Sequence, residues 1–351
     1  MVSLGIAVVG AGDVATRDYL PEFHRLAGRA HLAVVASRTA DRARAVAEAY
    51  GVPWSIDVAE AVGRDDVDIV CNLTPAAAHL DVTLAAVRAG KHVYCEKPVA
   101  TSPADTQLIA SAALEAGVTV AAAPSVVLFP QVRRMIEMVH GGAVGPVTAV
   151  VAFANGGVPP WAGFTTDPSH FFAAGSGPWR DMGVYPLHVL EALVGPVVEV
   201  SATSRRTIDS FVLIDGPMVD VRVPVESDDD WHVTALTRTG VIADLHASFA
   251  SAGTFGPEFE VRGREGTLAA SLLDVSAPLW LKHSDSTEVK EIHVPHERAE
   301  GPDHLLGLAD LVDHVLDGTP LSISLESAAH VLSVIVAAEQ SALERRAIQV
   351  V

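Results

Sequence analysis

Short apolar runs recur through the first third of the chain, each followed by a stretch whose apolar residues return every three or four positions. The runs at 4–9, 32–36, 67–72, 91–95 and 118–122 are nearly continuous rather than alternating. That is the pattern of strands buried on both faces. Between them, 76–89 and 103–116 read as amphipathic helices. The second opens on Ser102-Pro103-Ala104-Asp105, a cap followed by proline at the first helical position. This rhythm predicts a parallel sheet with right-handed crossovers. A further helix is expected over 128–140, ending at Gly141-Gly142.

After Pro146 the rhythm changes. Runs at 147–155, 196–207, 219–225, 231–238, 240–250, 257–263, 278–283 and 287–294 read as strands, with turns at Thr239-Gly240 and from Gly263 to Gly266. A helix over 181–193 interrupts them, and helices over 303–317 and 325–346 close the chain. The expected fold is therefore α/β: a doubly wound first domain over 1–124, then an α+β domain over 125–351 on an open, largely antiparallel sheet. Helix 128–140 is the expected connection, and the closing helices are candidates to pack back on the first domain. No internal repeat or low-complexity linker is visible.

Composition narrows the function classes. The 351 residues are 49% hydrophobic but only 5% aromatic, so the core must be built from Ala, Val and Leu. A formal net charge of −19 opposes nucleic acid and anionic membrane as partners. Two cysteines, Cys71 and Cys95, make neither a disulfide framework nor a four-cysteine metal site, and both read as small buried residues at strand ends. No apolar run approaches the ~20 residues of a membrane span, and no leader precedes the first strand, so a cytoplasmic protein is expected.

Ile6-Ala7-Val8-Val9 leads into Gly10-Ala11-Gly12-Asp13-Val14-Ala15, a G-x-G-x-x-A turn between strand and helix. Gly10 permits the tight turn, Gly12 lets backbone approach a pyrophosphate, and Ala15 allows close packing. With Asp13 and Val14 at the helix start, the segment predicts dinucleotide binding. The second strand ends in Ser37-Arg38-Thr39 instead of a carboxylate. A hydroxyl and a guanidinium suit a ribose 2′-phosphate, so NADP is favoured over NAD; alternatively Arg38 stacks on adenine or is simply solvated. Asn72-Leu73-Thr74-Pro75 ends the next strand, placing Thr74 and Pro75 beside the cofactor. His79 either touches the cofactor or packs against its own helix.

The fourth strand runs into Glu96-Lys97-Pro98. Ligands of open α/β sheets bind beyond the carboxyl ends of the strands, so a lysine there is placed to meet one. Together with Gly10 to Ala15, Thr74-Pro75 with His79, the run Ala89-Gly90-Lys91-His92-Val93-Tyr94-Cys95-Glu96-Lys97-Pro98, and Gly175-Ser176-Gly177-Pro178-Trp179-Arg180-Asp181-Met182-Gly183-Val184-Tyr185, the whole chain resembles the glucose–fructose oxidoreductase/inositol dehydrogenase (Gfo/Idh/MocA) family. The resemblance implies a Rossmann domain, a substrate-binding sheet domain, and reversible hydride transfer between NADP or NAD and a carbon bearing a hydroxyl on a sugar, polyol or related alcohol. It places Glu96 and Lys97 beside the nicotinamide, with a Lys97-Pro98 bond that is frequently cis. It also implies a homodimer or homotetramer.

Many relatives carry Asp followed four residues later by His; here Asp181 is followed by Tyr185. That spacing puts both on one face of the expected helix. By resemblance to the branches that use tyrosine there, Tyr185 exchanges the reacting oxygen's proton and Lys97 favours its phenolate. Asp181 then orients Lys97 or the substrate. His188 stands where many relatives carry Asp or Asn and is a candidate substrate contact. Ser125-Val126-Val127-Leu128-Phe129-Pro130 lacks the polar residues often found there. Trp161, in an aromatic loop reaching His170-Phe171-Phe172, either stacks on a sugar or packs the loop. Asp228-Asp229-Asp230 reads as a solvated acidic turn, and His293 and His296 have no matching carboxylate or thiol constellation, so no metal is expected. The competing classes are a non-catalytic dinucleotide- or sugar-responsive regulator and an NAD-dependent glycoside-cleaving enzyme.

Overall fold

The computed structural model describes residues 3–160, 164, 166–213 and 218–350. The chain forms two compact units, Met1–Ser125 with His304–Ala329, and Val126–Asp303 with His330–Val351.

In the first unit, strands β1 (Leu4–Val9), β2 (Ala30–Ala36), β3 (Trp54–Ser55), β4 (Ile69–Asn72), β5 (His92–Cys95) and β6 (Val120–Ala122) form a parallel sheet in the order β3-β2-β1-β4-β5-β6. Every residue of β1 is buried, which explains its unbroken apolar run. Helices Ala40–Tyr50, His79–Arg88 and Pro103–Ala116 connect the strands. Ser102 accepts the Asp105 amide at 3.2 Å and starts the last of these where its cap predicted. The C-terminal helix Leu305–Asp317 buries Leu305, Leu308, Leu311 and Val312 in the same core as Leu4, Ile6, Tyr19 and Tyr94. Its Gly307 has no room for a side chain, since a Cβ there would lie 2.3 Å from the Tyr94 hydroxyl.

The segment after the glycine turn is not an ordinary α-helix. It winds as a π-turn over Val14–Tyr19 and continues as 3-10 helix over Leu20–Leu26. Pro21 has no N–H to give to the carbonyl four residues earlier, so the regular ladder cannot run through it.

The second unit is a nine-stranded open sheet in the order β16-β15-β14-β13-β7-β12-β11-β8-β17. Its strands are β7 (Val147–Ala154), β8 (Val197–Arg205), β11 (Asp230–Thr237), β12 (Ile242–Ser248), β13 (Phe259–Gly263), β14 (Gly266–Ala270), β15 (Leu279–His283), β16 (Lys290–Ile292) and β17 (Ile348–Gln349), with β9 (Ser210–Val212) and β10 (Arg222–Pro224) pairing apart. Among the described residues only β7–β12 is a parallel pair in this sheet. Along β11, Val233 and Ala235 face in while His232, Thr234 and Leu236 face out. Helices Pro130–His140 and Val184–Val194 pack on the sheet. Sequence patterning misses β14. Its Gly-Thr-Leu-Ala-Ala has little intrinsic strand preference and is held by pairing on both sides.

The expected single helix over 181–193 is two. Pro178–Asp181 forms one short turn, and Val184–Val194 begins after Met182-Gly183. Pro186 cannot donate to Met182, and a Cβ on Gly183 would lie 2.5 Å from the Trp179 carbonyl oxygen. Asp181 therefore ends one helix and Tyr185 sits in the first turn of the next, correcting the expectation that both share one helix face.

Candidate active site

Because β2, β1, β4 and β5 are adjacent and parallel, the residues that follow them line one edge of the sheet. Gly10, Ser37, Thr74 and the Glu96-Lys97 pair all fall there. Gly10 has φ +106°, and its N–H donates to the Ala36 carbonyl at 2.8 Å. A Cβ on it would lie 2.5 Å from the Leu73 carbonyl oxygen. Beside Gly12 the space is open: a methyl added there would meet nothing within 4 Å. Ala15 is fully buried against the sheet, Asp13 is 6% exposed and Val14 half-buried. Open space at Gly12, next to the tight turn at Gly10, fits a dinucleotide pyrophosphate. Arg38 is exposed and Ser37 half-buried at the end of β2.

Lys97 is half-buried and held on both sides. Its own N–H donates to Glu96 Oε2 at 2.9 Å, and the Lys97-Pro98 bond is cis. Glu96 is in turn fixed by Tyr19, whose hydroxyl donates to Oε1 at 2.7 Å and lies 3.3 Å from the Tyr94 hydroxyl. Burial, reinforced by the Glu96 carboxylate, pushes the Tyr19 phenol well above its usual range, so it remains a donor. Nothing local in the sequence links Tyr19 to these residues, which lie some 75 positions away. Lys91 was likewise read only as part of a motif. Its ammonium donates to the Arg64 and Val67 carbonyls at 3.0 and 2.8 Å, fixing the start of β5.

Beyond Pro98 the chain is tied to the neighbouring strand end. His79, 1% exposed, has Nδ1 2.6 Å from the Pro98 carbonyl oxygen and Nε2 2.7 Å from that of Thr74. Both nitrogens face acceptors, so both must carry protons. Asn72, fully buried, accepts the Thr74 hydroxyl at 2.6 Å and donates to the His79 carbonyl at 3.2 Å. Burial opposes charge on His79, but Cys95 and the two carbonyls outweigh it and raise its pKa to about 9. This stabilisation is fully present below the ordinary pKa of 6.5 and is lost as pH rises through about 9. Urea midpoints measured from pH 6.5 to 9 should fall for the wild-type chain, by on the order of 3 kcal/mol in stability. In His79→Gln that slope should flatten; parallel slopes would deny His79 its charge.

In the second unit, most of the Gly175 to Tyr185 motif is structural. Gly177 has φ +97°, and a Cβ there would lie 2.7 Å from the Asp228 carbonyl oxygen. Trp179, 1% exposed, stacks on Trp231 with centroids 6.2 Å apart and donates from Nε1 to the Ile335 carbonyl at 3.2 Å. Arg180 grips Glu339 with two bonds of 2.5 and 2.6 Å. These anchors leave Asp181 and Tyr185 half-buried. His188 is 2% exposed, and burial, aided by His330, lowers its pKa to about 3. It is therefore neutral, and its ring is enclosed.

Other expectations fare differently. Trp161 lies outside the described residues. Phe172, 2% exposed, packs on Phe211 and Phe249, and Phe171 on Phe249 and His170. Cys71 and Cys95 are free and buried, as expected. The acidic triplet is not a solvated turn. Asp229, 4% exposed, accepts both the amide and the hydroxyl of Thr207 at 2.8 Å, and Asp230, 5% exposed, accepts from Arg205 at 2.7 Å and His246 at 2.9 Å. His296 pairs with one carboxylate, Nε2 lying 2.8 Å from Asp303, without a third potential ligand among the described residues. The triplet misleads because its partners Arg205, Thr207 and His246 lie 16 to 25 residues away in sequence. Among the described residues no helix is long and apolar enough to cross a membrane.

A 3-2-1-4-5-6 parallel sheet with a glycine turn after β1 is the dinucleotide-binding Rossmann arrangement. Residues 4–123 match the oxidoreductase family with NAD-binding Rossmann fold, and residues 132–269 match the Gfo/Idh/MocA C-terminal domain. The chain belongs to the Gfo/Idh/MocA family. It is 34% identical over 206 residues, 58% of each chain, to dTDP-3,4-didehydro-2,6-dideoxy-alpha-D-glucose 3-reductase of Streptomyces violaceoruber. It is 31% identical over 269 residues, 74% of each chain, to 1,5-anhydro-D-fructose reductase of Ensifer adhaerens. Its fold matches that of aldose–aldose oxidoreductase from Caulobacter crescentus complexed with glycerol, with a TM-score of 0.82 at 24% identity over 99% of this chain and all of that one.

Proposed function

We propose that this chain transfers hydride between a nicotinamide dinucleotide, NADP in preference to NAD, and a secondary alcohol or carbonyl of a sugar or polyol. The observation that carries the proposal is the immobilised Lys97, whose backbone is fixed through Glu96 on one side and through His79 at Pro98 on the other. Gly10, Gly12, Asp13, Val14 and Ala15 would hold the pyrophosphate, Thr74 and Pro75 the nicotinamide ribose, and Ser37 with Arg38 the 2′-phosphate. When bound, the nicotinamide supplies or accepts the hydride.

In the oxidising direction the substrate carbon loses hydride and its hydroxyl loses a proton, leaving a carbonyl. Tyr185 takes that proton at its phenolic oxygen, and Lys97 favours the phenolate by its positive charge. Asp181 orients the ammonium or the substrate. The substrate class rests on the sugar-derived substrates named for the relatives. A homodimer or homotetramer and a cytoplasmic location complete the proposal; the outer sheet face, which exposes Ile242 and Val289, is the surface available for association.

The test is absorbance in the reduced-nicotinamide band with NADP and NAD against aldoses, inositols and dihydrodiols. Net reduction, faster with NADP, is expected. Arg38→Ala should reduce the preference for NADP by about tenfold, the effect of one charge-assisted contact. No change with any substrate would favour a regulator, and a transient would favour glycoside cleavage.

A further inference from the structure

We propose that the outer face of the nine-stranded sheet carries a site for a borderline divalent metal ion, with Zn2+ as the type, held by Asp230, His232 and His246. The three come together through strand geometry. In the antiparallel β11–β12 pair His232 lies directly opposite His246. Asp230, two residues before His232 on the same strand, projects to the same face. One ligand atom from each of the three side chains lies within 4.8 Å of the others. Ligands around a tetrahedral zinc at bond lengths of about 2.1 Å are separated by about 3.4 Å, so small side-chain rotations suffice.

The surroundings match what a metal site needs. Asp230 is 5% exposed, and Arg205 holds it at 2.7 Å through Oδ2, leaving Oδ1, now 2.9 Å from His246 Nε2, to turn to an ion. On the far side of His246, Nδ1 lies 3.1 Å from the amide of Asn155, a residue 5% exposed whose carbonyl oxygen is buried without a hydrogen-bond partner. Exchanging the two ends of that amide sets the carbonyl against an Nδ1–H. The Nε2 lone pair is then free for the ion, the usual arrangement behind a ligating histidine. The rings of His232 and His246 stack with centroids 4.3 Å apart and planes 14° from parallel. His232 is exposed and turns about its own side chain to aim a nitrogen at the ion. As the ion binds, the single ring proton of neutral His246 moves, through solvent, from Nε2 to Nδ1, and the Nε2 bond to Asp230 is replaced by two bonds to the metal. Two imidazoles and one carboxylate select zinc-like ions over magnesium or calcium and leave a fourth position to water.

Only Asp230 belongs to the acidic triplet. Asp228 and Asp229 are occupied by Ser204 and Thr207, and none of the three ligands belongs to the machinery proposed for hydride transfer. Isothermal titration of the full chain with ZnCl2, and with MgCl2 as the contrast, tests the site. Saturable uptake of one zinc per chain is expected, with no saturable magnesium heat. His232→Ala, at an exposed position, and His246→Ala should each weaken uptake at least about tenfold, with circular dichroism reporting that both still fold. Cobalt should give d–d absorption in the wild-type chain and lose it in His232→Ala. Absence of saturable zinc uptake, or uptake unchanged in a folded His232→Ala, would overturn the proposal.

Discussion

Lys97→Ala is expected to lower turnover by about a thousandfold while leaving dinucleotide affinity within a few-fold of wild type. The separation follows from how the residue is held. Its backbone belongs to the Glu96 and His79 framework through main-chain atoms that alanine retains. The framework survives, and only the ammonium is lost. The pyrophosphate-facing turn at Gly10 to Ala15 is untouched, so binding measured by quenching or energy transfer from reduced cofactor should change little. Wild-type rates in Lys97→Ala on the true substrate would remove the lysine from the reaction.

Gly10→Ala should damage both the stability of the first unit and its dinucleotide site. The added carbon would lie 2.5 and 2.6 Å from the Leu73 carbonyl oxygen and carbon, and φ +106° is a conformation that L side chains rarely adopt. Backbone strain of this kind costs about 1–3 kcal/mol, and the overlap with β4's exit adds to it. Thermal unfolding should therefore fall by at least about 5 °C, with loss of dinucleotide binding. Gly12→Ala is the informative contrast. Open space surrounds its added methyl, so the fold should be retained while cofactor affinity drops. Equal melting temperatures for the two variants would contradict the different surroundings of the two glycines.

Much of the first unit is legible in the sequence because its signals are local. The unbroken apolar run of β1, the G-x-G-x-x-A turn and the Ser102 cap each report on the few residues around them, and each falls where expected. The lysine could be placed at a strand end for the same reason. What supports it was not legible: Tyr19 reaches Glu96 across 77 positions, and His79 reaches Pro98 across 19. Neither distance has a periodic signature. The break between Asp181 and Tyr185 is signalled by Gly183 and Pro186, which override the i, i+4 spacing of the two residues. Asp229 and Asp230 show a different difficulty: charge in a sequence suggests water until Thr207, Arg205 and His246 are found folded over it. The histidine pair depends on the length of the hairpin loop: the three residues Arg238-Thr239-Gly240 set His232 across from His246, whereas a two-residue turn at Thr239-Gly240 would have set Ala247 there.

Gly307 and the helix that carries it also set a schedule for synthesis. The core behind β1 and Tyr94 is closed by Leu305, Leu308 and Leu311, which leave the ribosome some 180 residues after Ser125. At about 5–20 residues per second that is an interval of roughly 10–40 s. Throughout it, the apolar side chains of the nascent dinucleotide unit lack their last cover. The dinucleotide-binding half is encoded first, yet it is completed only after most of the second unit has been made.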